Sequence, residues 1–328
     1  MQVRNFRLKR IVEDAKPSLV NSCEINFGFA TDIFKEEYMR DDWSQRTLAF
    51  HLENLAVFNK FLMAHHTGNP IKVTEDILNE YIKNMRSAGK KKNTINGRIK
   101  TLRVFFRLLH KKGYISHNPA LSLETIRGPQ SEIIPFTSEQ INVLLARPDQ
   151  TTFAGLRDYM IMQLLLDTGI RLEELCSVKV SDVDLKGCSI YIRQGKGRKS
   201  RTVFFGIETR RSLTKYLVFT GIANEGDTNL VLNQDGHPLK PRSIQERISL
   251  YASAVGIKGV RPSPHTFRHT FAKMFLMNEG DPYALRDLLG HNTMSTVIIY
   301  LKLFREDLYK KYRGRSPVDR LSRKNRED

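Results

Sequence analysis

Toward the end of the chain, Pro264-His265-Thr266-Phe267-Arg268-His269 is followed by Leu289-Gly290-His291 and, nine residues after that histidine, by Tyr300. His265 and Arg268 are three apart and share one face if their stretch is helical. The residue types suit one chemistry. A tyrosine hydroxyl can attack phosphorus, arginines neutralise charge developing on phosphoryl oxygens, and histidines handle protons near neutral pH. The stretch therefore reads as a candidate site for nucleophilic attack on a phosphate.

Helices and turns must hold these side chains. Upstream, Thr137-Ser138-Glu139-Gln140 reads as a capping box that opens a helix. A Met- and Leu-rich helix is predicted over 153–167, and Thr168-Gly169-Ile170-Arg171-Leu172-Glu173-Glu174-Leu175 turns into another. Val178–Val183, Ser189–Arg193 and Arg201–Phe205 alternate as strands do. The last two flank a basic hairpin turn, Gln194-Gly195-Lys196-Gly197-Arg198-Lys199-Ser200. Helices over 207–219 and 242–255, a short strand at 230–232, and helices around His265, 282–289 and 295–300 complete the region.

Residues 1 to about 28 show no clear periodic pattern and read as an arm; from there to about Ile126 an all-helical unit is expected. Apolar steps predict helices over 29–39, from Ser44 to about His65, from Thr74 to about Gly89, and between Lys90 and Lys112, with a short one after Asn118-Pro119. The Lys90–Lys112 helix has an apolar stripe of Ile95, Ile99, Leu102, Phe105, Phe106 and Leu109. Its other side carries Lys90, Lys91, Lys92, Arg98, Lys100, Arg103, Arg107, Lys111 and Lys112, with no acid among them. A one-signed face of that length predicts phosphate contacts better than it predicts a merely solvated surface. Arg127-Gly128-Pro129-Gln130-Ser131 breaks helices on both sides and is the candidate linker, which puts a domain boundary at about residue 130.

Composition narrows the function classes. The 328 residues carry a formal charge of +18, the mark of a protein that binds a polyanion, with DNA or RNA foremost. No run of eighteen apolar residues is present, and no apolar segment follows the basic N-terminus, so neither a membrane span nor a secretory signal is expected. The cysteines, Cys23, Cys176 and Cys188, are three and far apart; neither a disulfide framework nor a zinc site is predicted, and a cytoplasmic setting follows. No acidic cluster suited to magnesium adjoins the motifs, so no metal and no cofactor is expected.

Taken in order, Arg171 in its Thr-Gly-Ile-Arg turn, Lys196 in Gly-Lys-Gly-Arg-Lys, His265 and Arg268, His291 in Leu-Leu-Gly-His, and Tyr300 resemble the tyrosine recombinase (phage integrase) family, without departure at any of the six positions. The nine-residue step from His291 favours Tyr300 over its neighbours Tyr309 and Tyr312. The resemblance implies that Tyr300 is the nucleophile, forming a 3′-phosphotyrosyl bond, and that Arg171 and Arg268 clamp the phosphate. It implies that Lys196 is the general acid, that His265 takes the tyrosine proton or holds the phosphate, and that His291 hydrogen-bonds the phosphate. Glu174 would orient an arginine or His265. His269 is read as packing, pointing elsewhere on its helix, and Phe267, Phe271 and Phe275 as core.

The expected fold is mostly α with a small β-sheet, a two-domain DNA clamp of a helical core-binding domain and a mixed α/β catalytic domain. The expected divisions are an arm over 1–28, a core-binding domain over 29–130, a catalytic domain over 131–300 and a tail over 301–328. Lys90, Lys91, Lys92, Arg98, Lys100, Arg103, Arg107, Arg198 and Lys199 are the expected DNA contacts. The resemblance further implies site-specific strand exchange on double-stranded DNA through a Holliday junction, by a tetramer in which the tail docks on a neighbouring protomer. A catalytically silent DNA-binding regulator and a type IB topoisomerase are the rival readings.

Overall fold

In a computed structural model, residues 25–40, 44–65, 68–128, 134–193, 200–290, 293–294, 297–298, 300–301 and 312 are described. The chain divides into two compact units, Met1–Gln130 and Ser131–Asp328.

Among its described residues, the first unit is built from α1 (Phe27–Arg40), α2 (Gln45–His65), α3 (Glu75–Ser87) and α4 (Lys92–Lys111). Helix α1 starts two residues before its predicted position because the Asn26 side chain accepts from the Phe29 amide at 2.8 Å. Thr74 caps α3, with Glu75 and Asp76 in the first turn at the positive end of the helix dipole. The core is aromatic: Phe34, Phe58, Phe105 and Phe106 are fully buried, and Phe27 stacks on Phe105 with ring centroids 5.5 Å apart. The buried His51 is satisfied by Thr101 Oγ1 at 2.8 Å.

The α4 apolar stripe lies in this core as predicted, and several of its basic side chains have partners within the unit. Lys92 Nζ donates to the Gly128 carbonyl at 2.6 Å, Arg103 donates to the Leu123 carbonyl, and Arg98 lies against Met85 Sδ at 3.2 Å. Lys90, Lys91, Lys100 and Arg107 are exposed. The helix expected after Asn118-Pro119 is absent. The Asn118 side chain accepts from the Ala120 amide, and Asn96 pairs with both backbone groups of Ile126, so those groups are satisfied outside a helix.

The second unit contains α5 (Ser138–Leu145), α6 (Phe153–Thr168), α7 (Leu172–Ser177), β1 (Val183–Asp184), β2 (Ser189–Ile192), β3 (Arg201–Phe204), α8 (Ile207–Thr220), α9 (Pro241–Ala254), α10 (Pro264–Met277) and α11 (Pro282–Leu289). The Thr137–Gln140 capping box forms with both of its hydrogen bonds. Helix α6 is buried nearly all round and packs against α8 and α10, which is why its sequence shows little amphipathic periodicity. Along it, the buried Asp158 accepts from Arg157, Arg247 and Tyr251.

The strands form one antiparallel sheet in the order β1-β2-β3, with Ile190 opposite Val203 and Ile192 opposite Arg201. The predicted strand over 178–183 is mostly not one. Val180–Asp182 is a 3₁₀ turn, held because Asp182 accepts from the Lys179 amide at 2.9 Å and from Arg193 Nε at 2.7 Å. Leu230–Leu232 is buried, but only the isolated bridges Lys179–Asn229 and Leu232–Pro238 form there. Among the described residues, no helix is long and apolar enough to cross a membrane.

Candidate active site

Helix α10 opens on Ser263, whose side chain accepts from the Thr266 amide, with Pro264 in the first turn where a missing N–H costs nothing. Arg268 follows one turn in and is 3% exposed. Its guanidinium donates from Nη1 to the Gly169 carbonyl at the end of α6 and from Nη2 to the Leu289 carbonyl at the end of α11, both at 2.6 Å. Arg171, just before α7, donates from Nη2 to the Gly290 carbonyl at 3.3 Å. Arg201, the first residue of β3, donates from Nε to the Leu288 carbonyl at 2.8 Å. Three consecutive carbonyls at the end of α11 therefore each accept from a different arginine. A helix C-terminus leaves such carbonyls without intrahelical partners and carries partial negative charge, so it draws cations.

Glu174 joins two of these arginines. Its carboxylate accepts from Arg171 Nη1 at 2.8 Å and from Arg201 Nη1 and Nη2 at 3.1 and 2.7 Å. It also accepts the Arg171 amide at 3.1 Å, the returning half of a capping box. Burial alone would raise this carboxyl; Arg201, then Arg171, outweigh it and hold the pKa at about 2. Burial, with repulsion from Arg171, brings Arg268 down to about 9, so it stays charged at neutral pH.

Tyr300 is 3% exposed and sits with Phe271, Leu276, Leu285, Leu289 and Val297. Its hydroxyl meets His269 Nδ1 at 2.8 Å. Burial raises its pKa, while the charges of Arg268 and Arg171 act in the opposite sense. His265 stacks edge-on against His269 with ring centroids 4.5 Å apart. Burial, then the charges of Arg268 and Arg171, lower its pKa. A cleft of about 580 Å³ opens beside these groups, lined by Arg171, His265, Arg268, Arg242 and Arg261 among others. Among the described residues, no three His, Cys, Asp or Glu side chains converge as ligands for a metal ion.

This arrangement can bind an anion between two arginines beside a tyrosine hydroxyl, and sequence comparison agrees with it. The sequence model of the phage integrase family matches residues 135–306, and that of the phage integrase SAM-like domain matches residues 27–124. The chain belongs to the phage integrase family. It is 31% identical over 283 residues to the tyrosine recombinase XerC of Thermodesulfovibrio yellowstonii, an alignment covering 84% of this chain and 92% of that protein. Its fold is similar to that of a lambda integrase dimer bound to a COC′ core site, with TM-score 0.69, 17% identity and coverage of 83% of this chain and 97% of that one. The Tn1549 transposon integrase in complex with circular intermediate DNA gives TM-score 0.66 at 19% identity, covering 83% and 94%. Mostly helical architecture with a small sheet is thus the fold of this chain as well as its sequence expectation.

Of the residues singled out in the sequence, Arg171, Glu174, His265, Arg268 and Tyr300 come together. Lys196, Arg198, Lys199 and His291 lie outside the described residues, as do 1–24 and almost all of the tail. Phe267 and Phe271 are core, as expected. His269 is buried and packed, as expected, and the sequence reading did not foresee that its ring nitrogen meets the Tyr300 hydroxyl. The four-residue step from His265, which puts both rings on one side of α10, was the available signal. Arg201 was missed outright. In the sequence it is only the first residue of a strand after a basic turn, and nothing local marks it as reaching α11.

Proposed function

We propose that this chain cuts and rejoins duplex DNA at specific sites through a covalent tyrosine intermediate. The observation that carries the reading is the tie between Arg171 and Arg268 and a single helix end, with the Tyr300 hydroxyl under the charge of both. In this reading Tyr300 Oη attacks the scissile phosphorus, the bond from phosphorus to the 5′-oxygen breaks, and a 3′-phosphotyrosyl link remains. The two arginines neutralise the non-bridging oxygens. Lys196 protonates the departing 5′-oxygen, while His265 and His291 hold the phosphate. Glu174 keeps Arg171 in place. Because the covalent link retains the phosphodiester's energy, rejoining requires no nucleotide hydrolysis.

Residues 29–130 serve as the core-binding domain, through the exposed bases of α4, and residues 131–300 as the catalytic domain. The partner is double-stranded DNA carrying recombination sites, and solved relatives in complex with DNA support this. Four protomers acting on two sites, with a Holliday junction between the two rounds of exchange, complete the reading. The tail over 301–328 docks on a neighbouring protomer, and its deletion should alter assembly or cleavage timing more than DNA binding by one protomer.

The test is a duplex nicked near the cleavage point, which traps the covalent complex. The wild-type chain should accumulate it, whereas Tyr300→Phe should form none and still shift the DNA in a gel. A covalent complex formed by Tyr300→Phe would remove Tyr300 from the nucleophile's role.

A further inference from the structure

His269 does not line the cleft in which Arg171, His265 and Arg268 stand. Its Nδ1 instead meets Tyr300 Oη at 2.8 Å, with the two residues 8% and 3% exposed. Which of the two atoms donates depends on the imidazole tautomer; with Nδ1 unprotonated, the Tyr300 hydroxyl donates to it. His265 stands one turn earlier on α10, edge-on to His269 and facing the cleft beside the two arginines. The two histidines therefore divide between two places, one toward the anion and one on the tyrosine hydroxyl.

We propose that His269 is the base that takes the Tyr300 proton, a role His265 does not fill. The proposal rests on the reading of Tyr300 as nucleophile. As Oη attacks, the Oη–H bond breaks and an Nδ1–H bond forms. The Oη–P bond forms and the bond from phosphorus to the 5′-oxygen breaks, with Lys196 supplying that oxygen's proton. The imidazolium then keeps the tyrosine's proton for as long as the covalent link lasts. On rejoining, the 5′-hydroxyl returns its proton to Lys196 as it attacks phosphorus, the Oη–P bond breaks, and Nδ1 returns its proton to Oη. The charges of Arg171 and Arg268 favour the phenolate that forms on the way. A base already in hydrogen-bond contact satisfies the geometric requirement for proton transfer.

The experiment measures single-turnover formation of the covalent complex on nicked duplex DNA by the full chain. It compares wild type, His269→Ala and His269→Asn, each with Tyr300 or with a fluorinated tyrosine of more acidic hydroxyl at that position. Asparagine sets a polar atom where Nδ1 stands but cannot carry a proton. Both variants should be slower by about a hundredfold or more, and the fluorinated tyrosine should restore much of the rate in both while changing wild type little. DNA gel shifts and melting temperature check that the variants fold; if alanine disrupts the core, asparagine carries the test. An unchanged rate, a full rate with asparagine, or a loss that the acidic tyrosine fails to rescue would each overturn the proposal. A faster rate would overturn it too, since the bond would then restrain Tyr300. Absence of covalent complex in wild type would instead sink the nucleophile reading.

Discussion

Glu174→Gln isolates what one carboxylate does for two arginines. The Glu174 pKa is about 2 in the folded chain against an ordinary 4.5. At about 1.36 kcal/mol per unit, that drop corresponds to about 3 kcal/mol of stability. The side chain is only 13% exposed, so solvent screening takes little from the figure. The folded pKa lies below the unfolded one, so the stabilisation is complete above pH 4.5 and is lost as pH falls through about 2. Glutamine cannot carry the charge at any pH. The variant should therefore be about 3 kcal/mol less stable at pH 7, and about half of that gap should remain at pH 3. The single tryptophan, Trp43, belongs to the first unit, so its fluorescence reports the wrong unit. Hydrogen exchange of α7 and β3 amides in urea, at pH 7 and stepwise below pH 4.5, follows the right one. Equal stabilities at pH 7, or a gap that does not narrow in acid, would refute the reasoning.

Three further outcomes follow from other parts of the fold. Asp158→Ala leaves the buried Arg157 and the half-buried Arg247 without their carboxylate. It should cost about 3–5 kcal/mol in denaturant unfolding, whereas Asp32→Ala, in the exposed pair with Lys35, should cost under about 1 kcal/mol. Neutralising Lys90, Lys91, Lys100 or Arg107 should weaken DNA binding and lower the slope of log affinity against log salt by about one for each phosphate no longer neutralised. Lys92→Ala and Arg103→Ala, which free backbone carbonyls inside the first unit, should instead lower its melting temperature.

The helices were legible because their signals are local. Capping at Thr74 and Thr137, and the apolar stripe of α4, each depend on residues within one or two turns. The failures share a cause. Over 178–183 and 118–126, Asp182 and Asn118 bond to backbone two or three residues away, and Asn96 reaches Ile126 from 30 residues back; these bonds override the apolar alternation or the helix signal. The arginines divide along the same line. Arg171 and Arg268 were found because each sits in a motif, but what they hold is remote in sequence: Arg268 reaches Gly169 and Leu289, 99 and 21 residues away. Arg201 has no motif, and its reach of 87 residues to Leu288 leaves no mark in the sequence. The basic side of α4 shows the same limit from another direction. Charge sign is visible in a sequence, but whether Lys92 or Arg103 has an internal acceptor is not.

The end of α11 ties these observations together, because it sets the arginines and leads directly into the segment that carries Tyr300. Gly290 takes the left-handed conformation, with φ +61, that ends the helix, and its amide bonds back to Arg286 and Asp287. A Cβ there would stand 3.0 Å from Arg201 Nη1 and 3.1 Å from its Cδ. Gly290→Ala should thus strain the backbone by about 1–2 kcal/mol and push Arg201 as well. Gly221 ends α8 in the same conformation, with φ +72 and nothing within 4 Å of an added Cβ, so Gly221→Ala carries a similar backbone penalty with no arginine nearby. If the three carbonyls fix the arginines in register, Gly290→Ala should slow formation of the covalent complex by about a hundredfold, since displacements near 1 Å at a reacting centre have that effect. Gly221→Ala should leave it within a few-fold of wild type at a comparable loss of stability. Equal cleavage rates in the two variants would show that the arginines hold their places without the helix end, and that Glu174 alone sets Arg171.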